Sequence, residues 1–210
     1  MKILAVFAHP DDEAFGPGGS IAKWVKEGAT IHLLCATKGE AGENAGQRDR
    51  ELLEAAKVLG IKKVEFLGFK DGEISNKDLQ GLEKIISQKI IKLKPDIILT
   101  YDLTGISGHL DHIAIASATS QSFKKTSIAK KLYHYTVTKE YTDSMEDYFV
   151  FRPDGRKKEE IDLVIDVSDV WEQRIEAMYK HKSQIKDIKR ILKIRAKFPK
   201  EEHFVIKSKS

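Results

Sequence analysis

Two short stretches of the chain group side chains that can bind a metal ion or move protons. The first is His9-Pro10-Asp11-Asp12-Glu13, and the second, far along the chain, is His109-Leu110-Asp111-His112. Each stretch has two potential ligands three positions apart, a spacing that brings side chains to one face of a turn. Neutral imidazole and carboxylate ligands suit Zn²⁺ or Fe²⁺. Three protein ligands and one open position for water are typical of a catalytic zinc site.

Apolar segments alternate with amphipathic ones over most of the chain. We predict strands at Ile3–Ala8, Thr30–Thr37, Val64–Leu67, Asp96–Thr100, Leu132–Thr138 and Leu163–Val167. We predict helices at about Gly19–Lys26, Arg48–Leu59, Leu79–Lys92, Asp111–Ser122, Val170–Lys182 and Ile185–Arg195. This alternation favours an α/β fold: a Rossmann-like, doubly wound and mostly parallel sheet with helices on both faces, in three layers. The first strand would lie beside the fourth, and ligands bind at the carboxyl ends of such strands. Both motifs are expected at that point.

Length and composition limit the class of protein. The chain has 210 residues, 41% of them hydrophobic, which fits one domain over residues 1–210 with a basic helix at about 170–196 packed on it. Cys35 is the single cysteine, so a disulfide framework and a cysteine-based zinc site are excluded. A reducing, cytoplasmic location is expected. The apolar run Ile3–Ala8 is too short for a signal peptide, and no run approaches the length of a membrane span.

The charge of the chain is unevenly distributed. The net charge is +4, yet residues 180–200 alone hold nine Lys or Arg and one acid, so the remainder is acidic. A body of this kind is not typical of a nucleic-acid-binding protein. Gly16-Pro17-Gly18-Gly19 follows the first strand, but Ile21 stands where a dinucleotide fingerprint has its third glycine. We therefore predict neither nucleic acid nor a dinucleotide as a partner.

The two motifs together resemble the LmbE/PIG-L family of zinc-dependent N-deacetylases. The similarity runs over roughly residues 1–185, with two departures: Leu110, where a proline is common, and Ser107, where some members have a tyrosine. The further matching residues are Thr37–Gly42, Arg48, Glu51, Phe66–Gly68, Asp71-Gly72, Thr100–Asp102, Gly105–Gly108 and His181–Gln184.

This resemblance implies an enzyme that removes the acetyl group from an N-acetylglucosamine-type amino sugar or its conjugate through a metal-activated water. By the family pattern, one Zn²⁺ per chain is held by His9, Asp12 and His112. Asp11 would then be the general base, and His109 would stabilise the oxyanion or protonate the departing amine. Asp111 would orient His109. Arg48 and Asp71 are the expected sugar contacts.

Three further expectations concern alternatives and assembly. A non-haem iron(II) oxygenase also uses two histidines and one carboxylate, although a second acid at Asp11 favours hydrolysis. A binding module built on the basic helix, with nucleic acid or anionic lipid as its partner, is the alternative from another class. A homo-oligomer is expected from the resemblance, with its interface at the C-terminal helix or at residues 140–160, where Tyr148, Phe149, Val150 and Phe151 lie.

Overall fold

A computed structural model describes residues 1–42, 45–145 and 152–209. The strands are β1 (Lys2–Phe7), β2 (Thr30–Cys35), β3 (Lys63–Phe66), β4 (Ile97–Tyr101), β5 (Lys131–Thr136), β6 (Leu163–Asp166) and β7 (Glu201–Ser208). The α-helices are α1 (Asp12–Phe15), α2 (Gly18–Lys26), α3 (Arg48–Leu59), α4 (Leu79–Leu93), α5 (Leu110–Lys125), α6 (Lys139–Asp143), α7 (Trp171–Lys180) and α8 (Ile185–Arg195).

All seven strands form one sheet in the order β3-β2-β1-β4-β5-β7-β6. Strands β3 to β5 in this order are parallel, while β7 is antiparallel to both of its neighbours. Ile3–Phe7 of β1 is fully buried, as expected for a parallel strand covered on both faces. The predicted α/β fold is confirmed, and so is the position of β1 beside β4.

The helices follow the apolar periodicity of the sequence. In α3, Leu52, Ala56 and Leu59 are buried on one face, and Gly60 ends the helix in the left-handed conformation at φ +76°. Helix α3 packs against α7, and α4 packs against α5. Within the described ranges no helix is long and apolar enough to cross a membrane. A single domain over residues 1–210 stays a prediction.

The predicted elements lacked three that the structure contains, α1, α6 and β7. Strand β7 lies inside the sheet, between β5 and β6. It alternates in burial, with Glu202 and Phe204 both fully buried. The segment begins with two acids, Glu201 and Glu202, and buried strands rarely contain acids. For this reason the sequence pattern did not predict the strand. Four residues of the segment predicted at an interface, Tyr148, Phe149, Val150 and Phe151, lie outside the described residues.

The buried Glu202 carboxylate serves the amino end of α2. Its two oxygens accept hydrogen bonds from the backbone N–H groups of Gly19 (2.9 Å) and Ser20 (2.7 Å), and Oε1 lies 3.4 Å from Nε of Arg174. The amino end of a helix attracts anions, and in dinucleotide-binding folds this end binds a pyrophosphate. Here a carboxylate of the same chain occupies it. A Cβ on Gly19 would come within 2.7 Å of Val167, so glycine is required for this close approach.

Replacing Glu202 should destabilise the whole fold. Glu202→Gln leaves the guanidinium of Arg174 buried without an anionic partner, a change that costs about 3–5 kcal/mol in comparable buried pairs. Urea unfolding followed by circular dichroism measures this loss. The matched control is Glu201→Gln on the same strand, where the side chain is 40% exposed and the change should be below about 0.5 kcal/mol. Equal stability of the two variants would contradict the assignment.

Candidate metal centre

The two His/Asp motifs meet at the carboxyl ends of β1 and β4. The loop after β1 leads into α1 at Asp12, and the loop after β4 leads into α5 at Leu110. Both loops line one cleft of about 460 Å³, which α8 borders on another side. Because β1 and β4 are parallel neighbours at the point where the strand order reverses, their ends meet at one edge of the sheet.

Three side chains of these motifs converge within hydrogen-bond distance. Nδ1 of His9 lies 3.1 Å from Nε2 of His112, which lies 3.3 Å from Oδ1 of Asp12. Nδ1 of His9 and Oδ2 of Asp12 are 3.9 Å apart. Tetrahedral zinc with ligands at about 2.0–2.2 Å separates its ligand atoms by about 3.3–3.6 Å. The distances between the donor atoms of His9, Asp12 and His112, 3.1 to 3.9 Å, lie on either side of this spacing, so the three side chains can approach one ion.

Hydrogen bonds on the far side of each ring orient these nitrogens. Nδ1 of His112 donates to the carbonyl oxygen of Gly105 at 3.0 Å, which leaves the Nε2 lone pair free. Nε2 of His9 lies 2.9 Å from Oδ1 of Asp71 and 3.1 Å from Oδ2 of Asp111. The ring of Tyr101 also stacks on His112 at 4.4 Å. Metal-binding histidines in proteins are commonly held in this way by a carbonyl or a carboxylate.

The centre has more negative than positive charge. Four carboxylates, those of Asp11, Asp12, Asp71 and Asp111, lie around His9 with the guanidinium of Arg48. Burial lowers the pKa of His9, but hydrogen bonds with Asp111 and Asp71 outweigh it and raise the pKa to about 10. Burial lowers the pKa of His112 to about 4. A surplus of buried anions with a neutral imidazole fits a divalent cation.

Other groups of ligand atoms near His9 also fit an ion. Ring nitrogens of His9, His109 and His112 lie within 4.8 Å of one another, as do atoms of His9, Asp71 and Asp111. In the second group, however, Asp111 already accepts the backbone N–H groups of Gly72 (2.8 Å) and Ile74 (3.2 Å). The centre therefore has the chemistry of a cation site, and His109 lies next to it.

Asp11 stands at the edge of this centre in a strained conformation. Its φ of +118° lies in a region that residues other than glycine adopt at a cost of about 1–3 kcal/mol, a strain found mostly at functional sites. Its Oδ2 accepts a hydrogen bond from Nη2 of Arg48 at 3.0 Å. Burial and the charge of Asp12 raise the pKa of Asp11 to about 7, with Arg48 opposing. This carboxyl group suits proton transfer near neutral pH.

The two expected sugar contacts, Arg48 and Asp71, lie in the cleft but are engaged within the protein. Arg48 is buried, donates to the carbonyl oxygen of Pro10 at 2.9 Å, and lies 3.6 Å from Oδ2 of Asp71. Asp71 also accepts the backbone N–H of Ala41 at 3.1 Å. These contacts join Asp71, Arg48 and Asp11 into one chain of charges beside His9, so both residues help to position the centre.

The expectation that Asp111 orients His109 stays a prediction, and the structure adds a second partner of Asp111, the ring of His9. His109 is the N-cap of α5, and its Nδ1 accepts the backbone N–H of Asp111 at 3.2 Å. The carboxylate of Asp111 lies against His9, with Oδ2 3.1 Å from Nε2, and its charge also favours the protonated form of His109. Asp111 therefore orients a ring of the metal centre. His109 is half-buried, and burial together with His9 lowers its pKa.

Sequence reasoning missed a buried pair below the first motif, Glu13 and His181. Nε2 of His181 lies 2.7 Å from Oε1 of Glu13, and both side chains are at most 1% exposed. Oε2 of Glu13 accepts the backbone N–H of Asp11 at 3.2 Å, so the pair supports the strained loop. The signal was present, since Glu13 and His181 are both among the residues that carry the family resemblance.

Fold and site together define a class of protein, an α/β enzyme with a candidate metal centre at the switch point of a parallel sheet. Residues 4–123 match the family model described as PIG-L, GlcNAc-PI de-N-acetylase. The chain belongs to this family. The resemblance stated from the motifs is thereby confirmed, and so is the expected class of enzyme, a deacetylase that hydrolyses an amide.

The chain is also similar to individual proteins in sequence or in fold. A probable N-acetyl-α-D-glucosaminyl L-malate deacetylase of Bacillus subtilis (strain 168) is 28% identical over 207 residues, covering 93% of this chain and 88% of the relative. The N,N′-diacetylchitobiose deacetylase of Pyrococcus horikoshii has a similar structure, with a TM-score of 0.71 at 22% identity over 99% of this chain and 84% of the other. A 4-carboxy-2-hydroxymuconate hydratase of Pseudomonas putida KT2440 shares the fold, with a TM-score of 0.73 at 20% identity over 100% and 97%.

The contact between Asp111 and His9 should show in metal affinity. Asp111→Asn removes a charge that holds the far nitrogen of His9, and losses of such partners weaken metal binding about 10- to 100-fold. Competition with a metal-binding dye measures the dissociation constant. Asp169→Asn, with a side chain 45% exposed on the surface, is the control and should bind metal as the wild type does. Unchanged affinity in Asp111→Asn would show that Asp111 does not orient His9.

Proposed function

We propose that this chain is a zinc-dependent hydrolase that removes the acetyl group from an N-acetylglucosamine-type amino sugar or its conjugate. The observation that carries the proposal is the convergence of His9, Asp12 and His112, with distances of 3.1–3.9 Å between their donor atoms, beside the carboxyl group of Asp11. The names of two relatives support an amino-sugar substrate, because both are deacetylases of N-acetylated amino sugars.

The chemistry divides between the ion and the residues around it. A bound zinc ion would act as a Lewis acid, lowering the pKa of a water molecule toward about 7 and polarising the acyl oxygen. Asp11, held by Arg48, accepts the proton of the attacking water and returns it to the departing amine. Acetate and a free amine result. A general acid–base group works best when its pKa lies near the ambient pH, and burial raises the pKa of Asp11 above the usual carboxyl value.

His109 is assigned to the oxygen that gains negative charge. Its Nδ1 accepts a backbone hydrogen bond, so the neutral ring has its proton on Nε2, where it can donate. The lowered pKa of His109 favours this neutral form. Arg48 and Asp71 line the same cleft and are proposed to contact the sugar while they position Asp11 and His9.

Acetate release from a panel of substrates tests the proposal. The panel contains N-acetylglucosaminyl malate, N,N′-diacetylchitobiose and N-acetylglucosaminyl phosphatidylinositol, assayed beside metal analysis by mass spectrometry. We expect acetate from at least one substrate, about one zinc ion per chain, no turnover after chelation, and recovery on adding Zn²⁺. Iron as the bound metal with oxygen consumption would instead support the oxygenase, and turnover in metal-free protein would contradict the proposal.

The roles of adjacent acids can be separated by metal titration. Asp11→Asn should retain zinc and lose about 10²- to 10⁴-fold in rate, the usual contribution of general acid–base catalysis. Asp12→Asn and His112→Ala should bind zinc much more weakly, because each removes a proposed ligand. Loss of zinc from Asp11→Asn with retention in Asp12→Asn would reverse the two roles, and retention in all three would refute the ligand set.

We also propose that the enzyme is cytoplasmic and forms a homo-oligomer. Cys35, the single cysteine, is buried and makes no disulfide, which suits a reducing compartment. Light scattering at micromolar concentration measures the assembly, and a mass above that of the 23.7 kDa chain is expected. A monomer would contradict this part of the proposal.

A further inference from the structure

A second cluster of charged side chains is buried where α7, α8 and β7 meet. It consists of Arg174, Arg195 and Glu202, which are 0%, 6% and 0% exposed. The cluster thus contains two buried cations and one buried anion. A buried charge is costly unless an opposite charge lies close to it. The positive charge of the cluster is in excess.

The single carboxylate is already committed to other groups. Both oxygens of Glu202 accept backbone hydrogen bonds from α2, and the nearer guanidinium is that of Arg174. Arg174 also donates to the carbonyl oxygens of Phe15 (2.8 Å) and Gly16 (3.2 Å). Burial and the neighbouring Arg195 lower the pKa of Arg174, as expected for two cations sharing one anion.

Arg195 is held by neutral groups. Its Nη2 lies 2.5 Å from the hydroxyl of Tyr135, and its Nη1 donates to the carbonyl oxygen of Glu201 at 3.3 Å. The guanidinium lies 4.7 Å over the ring of Tyr141. Its Nε is buried and has no hydrogen-bond partner among the described residues. These contacts fix the position of the cation without neutralising it.

Arg195 and Tyr135 line the same cleft as His9 and His112. Tyr135 pairs across the sheet with Tyr101, whose ring stacks on His112. Tyr135, which holds the cation, therefore lies on the strand next to the one that supports the metal centre. Asp187 and Arg190 of α8 border the cleft too, each half-buried, so Arg195 is the deeply buried charge of this wall.

A second cavity of about 490 Å³ touches the other side of Arg195, and its charges differ. Glu140 and Glu201 line it together with Lys158 and His203. The cleft has carboxylates as well, those of the metal centre and Asp187. Arg195 borders both cavities, and the cleft is the one that also contains the metal centre.

We propose that Arg195, anchored by Tyr135, forms an anion subsite of the cleft that binds a carboxylate or phosphate on the part of the substrate attached to the amino sugar. The inference rests on the proposed function for the identity of that substrate. The subsite makes the enzyme selective for anionic conjugates over neutral ones.

Direct binding tests the subsite without turnover. Malate and inorganic phosphate are titrated into the metal-loaded protein by calorimetry, with Arg195→Met as the test variant. Loss of a hydrogen-bonded charge pair predicts binding about 10- to 100-fold weaker than in the wild type. Arg195→Lys should retain part of the affinity, and Arg50→Met, an exposed arginine of α3, should bind as the wild type does. Equal binding to Arg195→Met and the wild type would overturn the proposal.

Kinetics test whether the anion belongs to the substrate. In Arg195→Met the KM for N-acetylglucosaminyl malate should rise about 10- to 100-fold, and the KM for neutral N,N′-diacetylchitobiose much less. Tyr135→Phe, which keeps the cation and removes its anchor, should show a smaller change in the same direction. This variant serves if circular dichroism shows Arg195→Met to be unfolded. An equal rise for both substrates would overturn the proposal, because Arg195 would then affect a neutral substrate as much as an anionic one.

The two proposals fail in different ways. If none of the sugar conjugates releases acetate but Arg195→Met still binds malate more weakly than the wild type, the proposed function is refuted and the anion subsite stands. If acetate is released, and Arg195→Met binds anions as the wild type does and changes the KM of both substrates equally, the subsite is refuted and the proposed function stands.

Discussion

The parallel pairing of β1 with β4 is the constraint on which the rest of the site depends. The register sets Ile3 beside Ile97 and Ala5 beside Leu99, so both strands release their chains at the same edge of the sheet. Nitrogens of His9 and His112, two residues 103 positions apart, thereby come within 3.1 Å of each other. The hydrophobic burial of β1 supplies the energy that holds these polar groups together.

Two regions of opposite charge share the cleft. Around His9 the carboxylates are in excess, whereas around Arg195 the guanidinium groups are in excess. Tyr101 and Tyr135 lie between them on neighbouring strands, and both are buried. Charges in such a poorly solvated setting interact more strongly than on the surface. The arrangement favours a ligand that presents a polarised amide to one end of the cleft and an anion to the other.

The parallel half of the sheet could be predicted because each strand is a short apolar run next to an amphipathic helix. The two motifs could be predicted as well, because clusters of histidine and aspartate are unusual at the end of a buried strand. Which side chains of the site contact one another could not be predicted. Asp111 contacts His9 because of the direction of the backbone at the start of α5, where His109 is the N-cap. The spacing of residues in the sequence does not reveal this direction. The contact of Glu13 with His181 spans 168 positions and leaves no local pattern.

Strand β7 was missed for a related reason, because Glu202 has the sequence character of a surface residue. Its partners, Gly19 and Ser20, are 183 and 182 positions away, so nothing near Glu202 in the sequence reveals its burial. A buried polar residue in a strand can be predicted only when the group with which it forms hydrogen bonds is known.

The position of β7 has a consequence for how the protein is made. Chains emerge from the ribosome amino end first, and domains fold as their parts become available. Strands β1 to β5 can pair early, but β6 has no neighbour in the sheet until β7 is inserted between it and β5. Until then the amino end of α2 lacks its anion and β5 has an open edge, the kind of edge that recruits other chains. The nascent chain therefore keeps this open edge until Glu201–Ser208 is available to pair.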